Sequence, residues 1–342
     1  MDAKFLSQCF HDLYQLGLTT SSGGNISMLQ SDEIVCISPS QIDKAYLKPH
    51  DFAFLSLKGE QLGNNKPSME YPFHLSLYRK FPHIKTVVHI HPPAFVALSL
   101  LSKNDYELKG KSEKFNLGFA DYAIPGSDLL GVNVCEAFNN EIDVVLMQNH
   151  GVIAIGKELS VVIERIIELN QAIIKHFNLG SILDNFSLTG KFNLKSKNSS
   201  RFYEVRARHF LSVKNEVKMV EDQERDLFTV AIHLKSLGLL ALSKFSTHII
   251  PESFLILRDP LFQNKKFDKA QIDDYLKLFD DQMNVLIFMD GWALICGTSL
   301  YNLYDKMEVL DFTAKVTLIA QKMGQFDLLS DSQILELKEK FL

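Results

Sequence analysis

The sequence predicts a layered α/β domain followed by a shortened second copy of the same fold. Three observations lead there. Apolar, β-branched runs alternate irregularly with helical segments, as in layered α/β domains. The stretch Ser22-Gly23-Gly24-Asn25 lacks the G-x-G-x-x-G spacing of a dinucleotide site, which argues against a Rossmann fold. Segments of the second half also echo the first at fixed displacements. At 342 residues the chain is long for one domain.

Apolar residues at helical spacing (Phe5, Cys9, Phe10, Leu13, Leu16) predict a first helix over 3–16, ended by Gly17. The polar stretch TTSSGGNIS follows, then a short strand at 34–37 stopped by Ser38-Pro39. A second strand is expected at 51–57, with a turn at Lys58-Gly59-Glu60. A helix over 68–81 has Ser68 as its N-cap and Pro72 in its first turn, where proline is tolerated. TVVHIHP reads as a buried strand closed by two prolines, 143–147 as another, and 151–156 as its hairpin-related neighbour before a long helix over 159–177.

Ser, Asn, Lys and Gly dominate 185–201, which reads as a linker between domains 1–198 and 199–342. Leu16-Gly17-Leu18 recurs as Leu237-Gly238-Leu239, and 35–39 recurs as 256–260, both displaced by 221 residues. DVVLMQNHGVIAIGKEL aligns with NVLIFMDGWALICGTSL at a displacement of 141, Gly156 facing Gly297. The second copy is then shorter by about 80 residues in its middle.

With 46% hydrophobic and 23% charged residues the chain can bury a sizeable core. A net charge of −5 with no basic stripe gives no basis for nucleic-acid binding. Cys9, Cys36, Cys135 and Cys296 are scattered and form no C-x-x-C pair, which fits inert thiols in a reducing compartment. No run reaches the ~18 apolar residues of a membrane span, and the first residues do not read as a secretory signal. A cytoplasmic protein without membrane partners is expected.

The strongest chemical signal is His89-Ile90-His91. Two residues apart on a strand, both imidazoles project from one face and can grip one ion. His150 stands at the end of the next apolar strand. Three histidines from two neighbouring strands leave a coordination position open, the pattern of a catalytic metal. The plainer reading is a pair of satisfied polar residues at a sheet edge. Glu70 and His74 lie four apart on the preceding helix, where a carboxylate beside a cation can move protons; otherwise they are an ordinary helix pair. Ser22–Asn25, Ser38-Pro39-Ser40 and Lys66-Pro67-Ser68 offer N–H and hydroxyl donors for an anion, although each alone reads equally as a turn.

In order, SGGNIS, ISPSQ, KPSMEYPFHLSLY, VVHIHP, DYAIPGS and NHGVIAIG resemble the class II aldolase/adducin family, which includes fuculose- and rhamnulose-phosphate aldolases. The resemblance spans roughly 3–177. It implies a layered domain with a central, mainly antiparallel sheet. It implies one divalent ion per chain, zinc above others, on His89, His91 and His150, with Glu70 as acid/base and fourth ligand. Gly24, Asn25, Ser40 and Ser68 would contact phosphate. Tyr122 would reach a neighbouring subunit's site and protonate the aldehyde oxygen. Gln41 and Met69 depart from the family's glycine and second serine, and each removes a phosphate contact.

The implied function is a metal-dependent aldolase that cleaves or forms a C–C bond in a sugar or sugar phosphate through a metal-stabilised enediolate. A dehydratase, 4-epimerase or decarboxylase on the same scaffold is the alternative within the class. Glu70, where the epimerase branch tends to carry Asp, favours the aldolase. A non-catalytic, adducin-like association module is the alternative of another class, against which the retained ligands argue. In the second copy Asp290-Gly291 replaces Asn149-His150, the HxH segment falls in the missing middle, and His233 and His248 match no ligand position. That copy is expected to be silent. Family members are cyclic tetramers, so a homodimer with four domains is expected, with Phe228, Ile232, Leu237 and Leu239 buried against the first domain.

Overall fold

Strand β4 (Thr86–Ile90) is buried along its whole length and lies at the centre of a seven-stranded sheet. This is a computed structural model describing residues 2–30, 33–40, 42–101, 117–180, 182, 219–222, 227–240, 245–280 and 283–342. The expected linker therefore lies outside the described residues. Two units emerge, Met1–Gly180 together with Ile319–Leu342, and Ser181–Leu318. The last 24 residues thus pack with the first unit, where the sequence had placed them in the second domain.

The first unit runs α1 (Asp2–Gln15), β1 (Asn25–Leu29), β2 (Ile34–Ile37), β3 (Ala53–Ser56), α2 (Tyr71–Lys80), β4, α3 (Pro93–Ser99), β5 (Leu117–Ala120), α4 (Asp128–Ala137), β6 (Val144–Met147), β7 (Gly151–Gly156) and α5 (Leu159–His176). The sheet order is β3-β2-β1-β4-β7-β6-β5, antiparallel throughout except for the parallel β5/β6 pair. Strand β1, unforeseen in the polar run before it, pairs directly with β4. Helix α1 buries Leu6, Phe10 and Leu13, while Phe5 and Leu16 stay exposed, so its inward face is turned from the one the spacing suggested.

Side chains alternate across β4. Val87 packs with Ile153 and Ile155 of β7 under Phe73 and Leu77 of α2 and Leu130 of α4. Val88 and Ile90 point the other way and are equally buried. His89, two residues on from Val87, therefore faces α2, and its ring meets Phe73 edge-on at 5.8 Å. The pleat delivers the histidines to the helix that carries Glu70.

The second unit contains β8 (Met219–Asp222), β9 (Leu227–His233), α6 (Lys235–Leu239), α7 (Pro251–Leu257), β10 (Leu261–Gln263), α8 (Ile272–Leu276), β11 (Val285–Phe288), β12 (Trp292–Gly297) and most of α9 (Leu300–Met323); α10 (Asp331–Phe341) belongs to the first unit. Its sheet, β10-β11-β12-β9-β8, repeats β5-β6-β7-β4-β1 in spatial order, chain order and strand direction. Register agrees too: Thr86 faces Gly156 and Ile90 faces Val152, as Phe228 faces Gly297 and Ile232 faces Ala293.

Two expectations fail here. The displacement of 221 has no structural counterpart, because 34–37 is a strand whereas Pro251–Leu257 is a helix. The HxH strand is not missing: β9 occupies its place, with Ala231 at the register of His89 and His233 at that of His91. What the second sheet lacks between β8 and β9 is the counterpart of β2, β3 and α2. Ile232 and Leu237 are buried in the second unit's own core, and Leu239 is 56% exposed. Among the described residues no helix is long and apolar enough to cross a membrane.

Candidate active site

His89, His91 and His150 converge, their ligand atoms all within 4.8 Å of one another. All three are buried, as is Glu70. Glu70 stands at the N-cap position of α2, but its carboxylate makes no capping bond and turns instead to Asn25 and the imidazoles. Its Oε2 lies 3.4 Å from His89 Nε2 and its Oε1 3.4 Å from His150 Nε2. The loops are built for close approach. Gly24 has φ +74°, and a Cβ there would sit 2.6 Å from the carbonyl oxygen of His89. A Cβ on Gly151 would lie 2.6 Å from Cδ2 of His91 and 2.8 Å from the carbonyl oxygen of Ile90.

Burial, and then the neighbouring imidazoles, hold His89 and His150 well below the ordinary histidine range. Both rings are neutral at physiological pH. His89 Nδ1 is 3.0 Å from the carbonyl oxygen of Val152, which can only accept, so the ring proton is there and Nε2 carries a bare lone pair. That lone pair faces His91 Nε2 at 3.1 Å and the Glu70 carboxylate. An unprotonated imidazole nitrogen beside a carboxylate is a donor pair for a cation. The donor set fits a divalent cation, and the Val152 contact is the kind of outer hydrogen bond that would orient His89 as a ligand.

His74 does not join this cluster. Its Nε2 donates to Asn25 Oδ1 at 2.5 Å, and its Nδ1 accepts from Ser27 Oγ at 2.7 Å, which in turn lies 2.8 Å from Tyr78 Oη. Asn25 Nδ2 donates to Glu70 Oε2 at 2.7 Å. Burial pushes His74 down to about 3, so the ring is neutral and serves this chain. Tyr78, Ser27, His74 and Asn25 thus form one buried relay ending on Glu70. The Asn25 amide, expected at phosphate, spends its oxygen and one N–H inside the protein.

Ser40 N donates to the carbonyl oxygen of Lys66 and Ser68 N to that of Ser38, which zips these two loops together. Ser38 Oγ accepts from Ile26 N, bringing them beside Gly24 and Asn25. The four residues expected to meet phosphate therefore lie on adjoining segments. Met69 is 45% exposed; position 41 is outside the described residues.

Tyr122 N donates to Gln148 Oε1. Its hydroxyl is buried with no hydrogen-bond partner among the described residues, and burial, with a smaller push from Glu336 of α10, raises it above the usual tyrosine range. The C-terminal segment holds this side of the unit. Asn149, at φ +48°, donates from Nδ2 to the carbonyl oxygen of Asp327, and Lys340 Nζ donates to that of Pro125. Nothing in the sequence motifs pointed to this contact, since 327 and 149 are far apart in the chain.

Residues 5–174 match the Class II Aldolase and Adducin N-terminal domain. A curated L-fuculose phosphate aldolase from Methanococcus vannielii is 31% identical over 182 residues, covering 51% of this chain and 98% of that protein. This chain belongs to the class II aldolase and adducin family. A 3-oxo-tetronate 4-phosphate decarboxylase from Pectobacterium atrosepticum is 30% identical over 174 residues, 49% of this chain and 79% of the relative. A 5-deoxy-D-ribulose 1-phosphate aldolase from Bacillus thuringiensis serovar kurstaki is 37% identical over 147 residues, 40% and 66% respectively.

Proposed function

We propose that the first unit is a metal-dependent aldolase acting on a ketose phosphate. The observation that carries this is the buried cluster of His89, His91 and His150 closed by the Glu70 carboxylate. These four residues would hold one divalent cation, zinc first among the candidates, whose chemistry is Lewis-acid polarisation of a substrate carbonyl oxygen. In the cleavage direction the bond between the carbons α and β to the carbonyl breaks, and its electron pair stays on the α carbon of the ketone fragment. The hydroxyl on the departing carbon loses its proton as the aldehyde forms. Glu70 supplies a proton to the carbon left behind and recovers one in synthesis, held for this by Asn25. Tyr122 is assigned the proton exchange at the aldehyde oxygen.

A decarboxylase reading is favoured by the relatives of that name. It uses the same cluster, with carbon dioxide in place of the aldehyde as leaving group. Metal analysis of the wild type and His91→Ala comes first: about one ion per chain is expected, and most of it lost in the variant. Ketose 1-phosphates and a 3-oxo-acid phosphate are then assayed for aldehyde and carbon dioxide release. Full metal occupancy in His91→Ala, or neither product from any substrate, would refute the reading.

The second unit is assigned as a shortened, silent copy. At the His89 register it carries Ala231, at the His150 alignment Gly291, and His233 Nε2 is engaged by the carbonyl oxygen of Asp290. The assembly assigned is a homodimer with two metal-bearing and two silent units. Light scattering with metal stoichiometry tests it, and a fully active monomer would exclude it.

A further inference from the structure

Lys44 is a buried cation that the chemistry above leaves unused. It opens a single 3-10 turn, Lys44–Tyr46, and is 4% exposed. Lysine is almost never buried to this degree unless its charge is matched. An ammonium has three N–H donors. Among the described residues, one acceptor is found for it, the carbonyl oxygen of Pro39. The charged groups acting on it are Asp43 and Glu70. The Asp43 carboxylate already caps its own turn by accepting from Ala45 N, and that of Glu70 is held by Asn25 beside the imidazoles.

The position of Lys44 gives the cation a use. Its main-chain N–H donates to the carbonyl oxygen of Ser21, in the loop leading to Gly24 and Asn25. Its ammonium holds Pro39, which bridges to Pro67. Lys44 therefore sits where the segments bearing Gly24, Ser40 and Ser68 meet, close enough to Glu70 for their charges to interact. Met69, which stands where the resemblance would have a second serine, follows Ser68 on one of these segments and is 45% exposed.

We propose that Lys44 is the cationic anchor for the phosphate monoester end of the substrate and sets the preference for phosphorylated over unphosphorylated ketoses; this rests on the aldolase reading above. Burial pushes the amine down to about 8 against the pull of Asp43 and Glu70, so a dianion arriving there meets a cation stripped of water. The competing role is a purely structural tie to Pro39.

Lys44→Gln separates the two, because glutamine keeps an N–H donor for that carbonyl and removes the charge. Inorganic phosphate binding to the metal-loaded full-length protein is measured by calorimetry, with dihydroxyacetone phosphate as competitor and dihydroxyacetone as the uncharged control. Phosphate should be displaced by dihydroxyacetone phosphate. Lys44→Gln should weaken phosphate about tenfold or more, with metal content and dihydroxyacetone binding unchanged, and Lys44→Arg should restore part of the loss. Phosphate binding within about twofold of wild type in Lys44→Gln would overturn the proposal. So would a wild type that binds no phosphate, or binds it without competition. Should Lys44→Gln not fold, Lys44→Met decides by the same measure; if neither folds, Lys44 is a structural tie and the proposal falls. None of these measurements needs turnover, so a Lys44-dependent phosphate site in a protein that cleaves no ketose phosphate would sink the aldolase reading and leave the site standing.

Discussion

Replacing Asn25 with alanine should damage the site without touching a metal ligand. Asn25 makes two side-chain bonds, at 2.7 Å to Glu70 and 2.5 Å to His74, inside a cluster where all three residues are no more than 6% exposed. Losing a hydrogen bond to a buried charged group costs about 1.5–3 kcal/mol, and orphaning the His74 N–H costs about 1–3 kcal/mol. A water entering the space left by the amide recovers part of this. The expected net loss is about 2–4 kcal/mol, or roughly 5–15 °C in Tm for a unit of this size. Freed from Asn25, Glu70 also loses the bond that orients it, so kcat should fall while the metal stays. Calorimetric melting, metal analysis and steady-state rates on one preparation supply the three readouts. A Tm within a degree or two of wild type, together with an unchanged kcat, would refute the relay as the support of Glu70.

Three further outcomes follow from the geometry. Glu70→Gln keeps the shape of the side chain and removes its titration, so activity should fall about 10²–10⁴-fold with metal largely retained; a near wild-type rate would return Glu70 to the status of an ordinary helix residue. Gly151→Ala places a Cβ 2.8 Å from the main-chain oxygen of Ile90 and 2.6 Å from the His91 ring, so metal affinity should drop about tenfold or more in an equilibrium titration. Acid should destabilise the protein through His74: its folded value, about 3, is below the unfolded value near 6.5. The unfolded chain therefore binds the extra proton, and stability falls as pH drops through 6.5. Between pH 6.5 and 5 the loss from this group is about 2 kcal/mol, measurable as a change in urea midpoint that His74→Gln removes.

Much of the first unit was legible in the sequence. β4 with its flanking prolines, the β6/β7 hairpin and α5 are where the sequence places them, because each rests on local patterning. The three histidines were legible for the same reason. Residues 89 and 91 share a face by the two-residue pleat, and 150 lies in the turn between two neighbouring strands. Short-range periodicity determines which side chains a strand presents, and it is written in the sequence.

Partnership across the sheet is not. β1 was hidden because its residues, Asn25–Leu29, carry a serine and an asparagine that pair with His74 and Glu70 only once the chain has folded. The same holds for the role of His74, whose spacing from Glu70 suggested only a shared helix face and whose ring is spent on Asn25. Nothing in the sequence singled out Lys44, since burial is a property of the packed loops around it. In the second half, short matches suggested a displacement of 221 that strand register replaces with the correspondence of β9 to β4. Hydrogen-bond partners tens to hundreds of residues apart, such as Asn149 with Asp327, are chosen by chain packing and leave no periodic trace. The sequence determined which histidines this site presents. Tertiary structure alone decided what holds them.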